Sequence, residues 1–144
     1  MVDQDHLAER LRASVGRFVR ATREHSDSLA PPLAQTLGLL DREGDASTAS
    51  LAQRRGVRHQ SQSRTVKDLE TLGFIARRND PGDGRGFLLT LTAQGRAALD
   101  RDRGARRDWV AQAIETTLEP GEHALLGTLT ELLDRLSEHD SGRK

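Results

Sequence analysis

The chain contains no cysteine. That excludes disulfides, thiolate metal sites and thiol-based redox sensing. No stretch approaches the ~20 apolar residues of a membrane span, and no apolar run near the start reads as a signal peptide. The expectation is a cytoplasmic protein with no membrane partner. Net charge is missing too: 22 Lys and Arg balance 22 Asp and Glu, which taken alone argues against nucleic acid. Catalytic motifs are equally scarce. The histidines, His6, His25, His59, His123 and His139, never fall in an H-E-x-x-H spacing, and there is no G-x-S-x-G elbow. The glycine-rich tract around Gly82, Gly84 and Gly86 joins two strand-like runs instead of leading into a helix, as a phosphate cradle would. No enzyme, cofactor or metal site is expected, and no internal repeat or low-complexity segment is present.

What is there is a lean chain with a concentrated middle. Its 144 residues suggest one domain. Only 35% are hydrophobic, so burial must be gathered into a few strong stripes or shared with a second subunit. Residues 54–96 hold nine basic and four acidic side chains, a surplus of five in a chain that is neutral as a whole. A basic module on an acidic support is the electrostatic footprint of a DNA binder.

Apolar spacing predicts the helices. Leu7, Leu11, Val15, Phe18, Val19 and Thr22 define one long amphipathic helix over about 3–26. Pro31 and Pro32 interrupt the chain, and Pro32 can open a second helix striped by Leu33, Leu37 and Leu40 and closed by Gly44. Ser47 or Thr48 caps a short third helix that Gly56 ends in the left-handed conformation. A fourth helix covers about 60–72 and stops at Gly73. Strands at 74–78 and 87–91 flank a tip whose glycines permit positive φ. Thr92 caps a fifth helix running through Ala93, Ala97, Trp109, Val110, Ala113 and Ile114 to about Leu118, with a bend expected near Gly104. Pro120 opens the last helix, striped by Leu125, Leu129, Leu132, Leu133 and Leu136. The fold class is therefore mostly α with a small β-hairpin wing.

Helix, turn, helix, then a basic hairpin places one helix in a DNA groove. At 100° per residue, Gln62, Val66, Leu69 and Gly73 share one arc of the fourth helix, and its apolar members make it the buried face. Gln62 is the odd member, and a hydrogen bond inside the module would explain it. Gln60, Arg64, Lys67 and Thr71 lie opposite. Arg64 can chelate guanine O6 and N7, and Gln60 can pair with adenine N6 and N7. Ser61, Ser63 and Lys67 suit phosphate contacts that position the helix. Arg58 and His59, just before it, can meet the backbone or a base. At the hairpin tip, Arg85 suits a narrow A·T minor groove, with Asp83 orienting it by a charge-assisted hydrogen bond. Arg77 and Arg78 would add phosphate contacts.

The terminal stripes, Leu7, Leu11 and Val15 at one end and Leu125, Leu129, Leu132 and Leu136 at the other, can cover one another but not a third face as well. A two-fold partner would bury the remainder.

These residues resemble the MarR family of bacterial transcriptional regulators. The wing fits the family pattern D-x-R-x-x-x-x-x-L-T at Asp83, Arg85, Leu91 and Thr92. Leu51, Ala52, Gly56, Val57, Ser61, Arg64, Leu69, Glu70, Gly73 and Phe74 look like its helix-turn-helix. Gln62, where an apolar residue is common, and Gly84, where many members have arginine, depart from the pattern. The resemblance implies a single domain in which about 1–30 and 93–144 form dimerisation helices and about 33–92 form a winged helix-turn-helix lobe. It implies a homodimer on palindromic double-stranded DNA, acting as a repressor. A small organic effector, aromatic or anionic, would release it by binding between the dimerisation helices and the lobe. On this carry-over Arg85 is the minor-groove arginine, Asp83 its support, and Gln60, Ser61 and Arg64 read the major groove. Trp109 and Arg23 are candidates to line the effector pocket, against the plainer reading of Trp109 as core and Arg23 as solvated. The competing function is a winged-helix protein–protein module without DNA binding.

Overall fold

The computed structural model describes residues 3–26, 29–82, 84 and 86–139. The wing residues expected to meet the minor groove, Asp83 and Arg85, lie outside the described residues. The order is α1 (Gln4–His25), α2 (Pro31–Glu43), α3 (Thr48–Arg55), α4 (His59–Thr71), β1 (Ile75–Asn79), β2 (Phe87–Leu91), α5 (Ala93–Thr117) and α6 (Pro120–Ser137).

Local chemistry sets these boundaries. The Asp3 carboxylate accepts from the Asp5 amide and starts α1. Two prolines open α2, where no N–H is needed. The Ser47 hydroxyl accepts from the Ser50 amide at 3.1 Å to cap α3. Gly56, at φ 65°, ends α3 in the left-handed region and so turns the chain into α4. His59 is the first residue of α4 rather than a residue before it, with Arg58 extended at the cap. A reciprocal pair, Glu119 and Glu122, caps α6.

The strands pair antiparallel, Ile75 opposite Leu91 and Asn79 opposite Phe87. β1 starts one residue later than expected because the Phe74 amide still closes α4, donating to the Leu69 carbonyl at 3.0 Å. Ala46 adds a short third edge, exchanging both backbone hydrogen bonds with Leu89 at 3.3 and 2.8 Å. The tip differs from expectation. Gly82 does not take positive φ; instead its amide donates to the Asp80 carboxylate at 3.0 Å, and the Asp80 amide donates to the Gly86 carbonyl at 3.2 Å. An aspartate turn does there what glycine conformation was expected to do.

The chain forms two compact units, Met1–Arg106 and Arg107–Lys144. The core of the first consists of Leu37, Leu40, Ala46, Leu51, Val66, Leu69, Ile75, Leu89 and Leu99. Its stretch of α5 buries Gly95, Ala98, Leu99 and Asp102 and leaves Ala93 and Ala97 exposed. Gly95 explains it. A Cβ there would lie 2.0 Å from the Phe74 carbonyl oxygen, so only glycine lets α5 approach so closely. In the second unit no residue of α6 is buried; Leu125 is 68% and Leu136 59% exposed.

Candidate nucleic-acid interface

α4 presents two chemically opposite sides. Gln62, Thr65, Val66 and Leu69 are buried; Gln60, Ser61, Arg64, Lys67 and Thr71 are exposed and Ser63 is half-buried. The sequence spacing therefore places the face correctly, with Thr65 added. Gln62 is fully buried, and both ends of its amide are engaged: Oε1 accepts from Arg55, and Nε2 donates to Thr36 Oγ1 at 3.1 Å. Thr36 in turn donates to the Pro32 carbonyl at 2.8 Å. Leaving such an amide unpaired would cost about 1–3 kcal/mol. Paired, it fixes α4 against α2 and α3 at a defined rotation. From sequence, Arg55 registered only as one more positive charge, and Thr36 gave no signal.

Ion pairing sorts the basic window. Arg54 pairs with Glu43. Arg77 makes a two-oxygen contact with Glu70, its Nη2 at 2.9 Å from Oε1, and its guanidinium lies 4.2 Å over the Phe87 ring. Arg78 pairs with Asp45 at 2.5 Å. Arg96 pairs with Asp41 at 2.8 Å, and Arg103 takes the other Asp41 oxygen at 2.9 Å. These two guanidiniums hold the Asp41 carboxyl below its ordinary pKa, and Glu70 holds Arg77 above its own. Arg58, Arg64 and Lys67 are exposed and make no ion pair with a described residue. Apart from Arg55, which donates to the buried Gln62, the described cations of this window that make no ion pair thus lie at the start and on the outer face of α4. Arg77 and Arg78, expected to reach phosphate, are committed to neighbouring carboxylates.

Thr92 joins the wing to α5. Its hydroxyl donates to the Gly73 carbonyl at 2.6 Å and accepts from the Gly95 amide at 3.0 Å.

A cleft of about 410 Å³ lies within the first unit. Six arginines line it: Arg23, Arg42, Arg54, Arg55, Arg103 and Arg106, with Asp102 and an apolar side of Leu29, Pro31, Ala34, Leu39 and Leu99. Asp102 is buried, accepts from the Leu29 amide at 2.7 Å and pairs with Arg106 at 2.5 Å. Arg23, Arg42 and Arg55 have no carboxylate partner among the described residues. Burial draws the Arg55 pKa below its usual value, yet a guanidinium stays charged at neutral pH. Trp109 belongs to the second unit. Asp102 was missed in the sequence, although it continues the helical spacing of Gly95, Ala98 and Leu99.

Among the described residues no helix is long and apolar enough to cross a membrane, and no cluster of His, Asp or Glu is placed to hold a metal.

A short helix, a left-handed turn, a second helix with a free cationic face and a hairpin packed behind it define a winged helix-turn-helix, the class of DNA-binding transcriptional regulators. The model of the MarR family matches residues 29–86. An HTH-type transcriptional regulator of Mycobacterium tuberculosis is 32% identical over 136 residues, covering 92% of this chain and 94% of that protein. The crystal structure of a transcriptional regulator of Pseudomonas aeruginosa superposes with a TM-score of 0.81 at 30% identity, covering 95% of this chain and 99% of that one. BpsR of Bordetella bronchiseptica shares the fold at a TM-score of 0.61 and 22% identity, over 92% of this chain and 94% of its own. The chain belongs to the MarR family. It is a DNA-binding transcriptional regulator, not an enzyme.

Proposed function

We propose that the protein is a cytoplasmic repressor that binds a palindromic operator as a homodimer and is released by a small organic anion. The observation that carries the DNA reading is the segregation of charge: ion pairs neutralise Arg54, Arg77, Arg78 and Arg96, while Arg58, Arg64 and Lys67 make none with a described residue. Arg64 and Gln60 read base edges in the major groove. Arg58, Ser61, Ser63 and Lys67 position the helix on phosphates. Arg85, supported by Asp83, enters the adjacent minor groove. Arg77 and Arg78 reach phosphate only by giving up Glu70 and Asp45.

The dimer reading is supported by apolar surface without a cover. Leu7 is 52%, Val15 38% and Phe18 51% exposed on α1, with Leu11 half-buried. On α6, Leu125, Leu129, Leu132 and Leu136 are all exposed, at positions i, i+4, i+7 and i+11 of one stripe. Fully burying one leucine contributes about 1.5–3 kcal/mol, so a second copy has several such gains to collect on each face. In this reading about 1–30 and 93–144 dimerise and about 33–92 bind DNA. The effector reading is supported by the arginine-lined cleft. It is also supported by the fold neighbour BpsR, whose DNA binding is regulated by 6-hydroxynicotinic acid.

The test is fluorescence anisotropy with duplex DNA from the region beside the protein's own gene, against a scrambled duplex, over a range of salt. Tight, salt-steep binding that prefers the native duplex is expected. Equal, weak binding to both would remove the operator from the reading.

A further inference from the structure

The cleft and the recognition helix share a side chain. Arg55 lines the cleft, and the same guanidinium donates to the buried Oε1 of Gln62 on α4. Its Nε is directed to Gln35 Oε1 at 3.2 Å. Both acceptors are neutral amides, so Arg55 is held without a counter-charge. Gln62 is fully buried, and Arg55 is the one donor to its side-chain oxygen among the described residues. Against Gln62 the guanidinium meets only a dipole, whereas an oxyanion brings the opposite charge and two acceptor oxygens that match its fork. An oxyanion in the cleft therefore competes well for this guanidinium, whereas an uncharged ligand does not.

We propose that Arg55 is the point at which an anion in the cleft is read by α4: the ligand's acid group takes the guanidinium from Gln62 and so releases the rotation of the recognition helix. The proposal rests on the effector reading above and adds its route. Without Arg55, the Gln62 oxygen is buried with no donor, and the helix relieves this by rotating or shifting until water reaches the amide. Either movement carries Gln60 and Arg64 off their base edges, since both sit on the face opposite Gln62.

The lining also sets the class of ligand. Arg23 and Arg42 add to Arg55 two cations that no described carboxylate answers. Glycine at 38 leaves room for the Arg42 side chain: a Cβ there would stand 3.0 Å from Arg42 Nη1. Three guanidiniums without a carboxylate partner among the described residues, beside Leu29, Pro31, Ala34 and Leu39, suit a small organic dianion with one apolar face. A benzene dicarboxylate is the simplest such probe.

The experiment uses the full-length protein and phthalate, with chloride adjusted to hold ionic strength constant. Isothermal titration calorimetry reads phthalate binding, and operator anisotropy reads its effect on DNA. For the wild type, phthalate binds and weakens operator affinity by about 10-fold, within the usual range of coupling between sites. Gln62→Met keeps length and burial but removes the acceptor; Gln35 still engages Arg55, and Thr36 keeps its bond to Pro32. That variant binds phthalate at least as tightly, because Arg55 is no longer held, yet its DNA affinity no longer responds. Gln62→Glu gives Arg55 a carboxylate that phthalate must displace, so phthalate binding weakens by about 10-fold and the DNA response is again lost. Gln35→Met removes the other partner without touching α4, and it keeps the wild-type response. A Gln62→Met or Gln62→Glu protein that still responds like the wild type would overturn the relay while leaving the effector cleft standing. A wild type that shows neither heat with phthalate nor a change in DNA affinity would overturn the effector reading and the relay with it.

Discussion

Replacing Thr92 with valine separates the structural part of the wing from the part that touches DNA. Thr92 holds two bonds at once, donating to the Gly73 carbonyl and accepting from the Gly95 amide. Valine preserves shape and β-branching, so the backbone preference is unchanged, but it can make neither bond. Loss of a helix N-cap costs about 1 kcal/mol, within a range of about 0.5–2. Loss of the second bond adds about 0.5–1.5 kcal/mol. The half-buried site gives little access to water, so the two losses combine to about 1–3 kcal/mol. At about 2–4 °C per kcal/mol for a chain of this size, the melting temperature falls by roughly 2–12 °C. The assay is urea unfolding followed by circular dichroism at one fixed protomer concentration, since dimer stability depends on it. The midpoint drops while the slope stays put. Thr92→Ser retains the hydroxyl and stays within about 0.5 kcal/mol of wild type. A valine variant as stable as wild type, or a serine variant as weak as valine, would refute the assignment of both bonds.

Four further outcomes are expected. Arg64→Ala weakens operator binding by about 1–3 kcal/mol and relaxes preference at one position, read by anisotropy against single-base variants. Lys67→Ala weakens binding to every duplex alike and reduces the slope of log K against log salt by about 1, as removal of a single phosphate partner should; a change in sequence preference would contradict its role. Leu129→Glu with Leu132→Glu gives a monomer in sedimentation velocity, because a charge at the centre of an apolar interface is costly; an intact dimer would exclude this face. For Asp41, two arginines lower the folded-state pKa, so its stabilisation is present above the unfolded value and lost as pH falls. Wild type therefore exceeds Asp41→Asn in stability at pH 7, and the gap closes below about pH 4; a gap that persists at low pH would point to packing instead of charge.

Local signals make most of the architecture legible in the sequence. Pro31, Ser47, Gly56, Gly73, Thr92 and Pro120 act on helix ends within about three residues of themselves, and the boundaries beside them follow from such local effects. The buried face of α4 is legible for the same reason, since helical spacing alone aligns Val66 with Leu69. The rotation of α5 is not. It is set by the close approach of Gly95 to the Phe74 carbonyl, a contact between segments 21 residues apart that leaves only an ordinary glycine in the sequence. The partners of Gln62 are hidden in the same way. Its burial can be suspected from spacing, but the identity of its donor depends on how α2, α3 and α4 meet. Ion pairs such as Arg78 with Asp45, 33 residues apart, belong to that same class of information.

That hidden layer also resolves the conflict between a neutral chain and a DNA-binding role. Net charge counts every guanidinium equally, but a phosphate responds to charge that is both exposed and unpaired. Asp41, Glu43 and Asp45 lie just upstream of the basic window and each neutralises an arginine within it: Arg96, Arg54 and Arg78. Glu70 does the same for Arg77 from inside the window. These pairs are partly exposed, so each adds little stability, about 0–1 kcal/mol. Their larger effect is on where the field points. In the proposed reading, with the flanks of the lobe neutralised, Arg58, Arg64 and Lys67 leave the exposed α4 face basic, and a diffusing duplex is oriented toward it. On that reading sequence preference and electrostatic steering act through the same short helix, which a uniformly basic surface of equal total charge could not achieve.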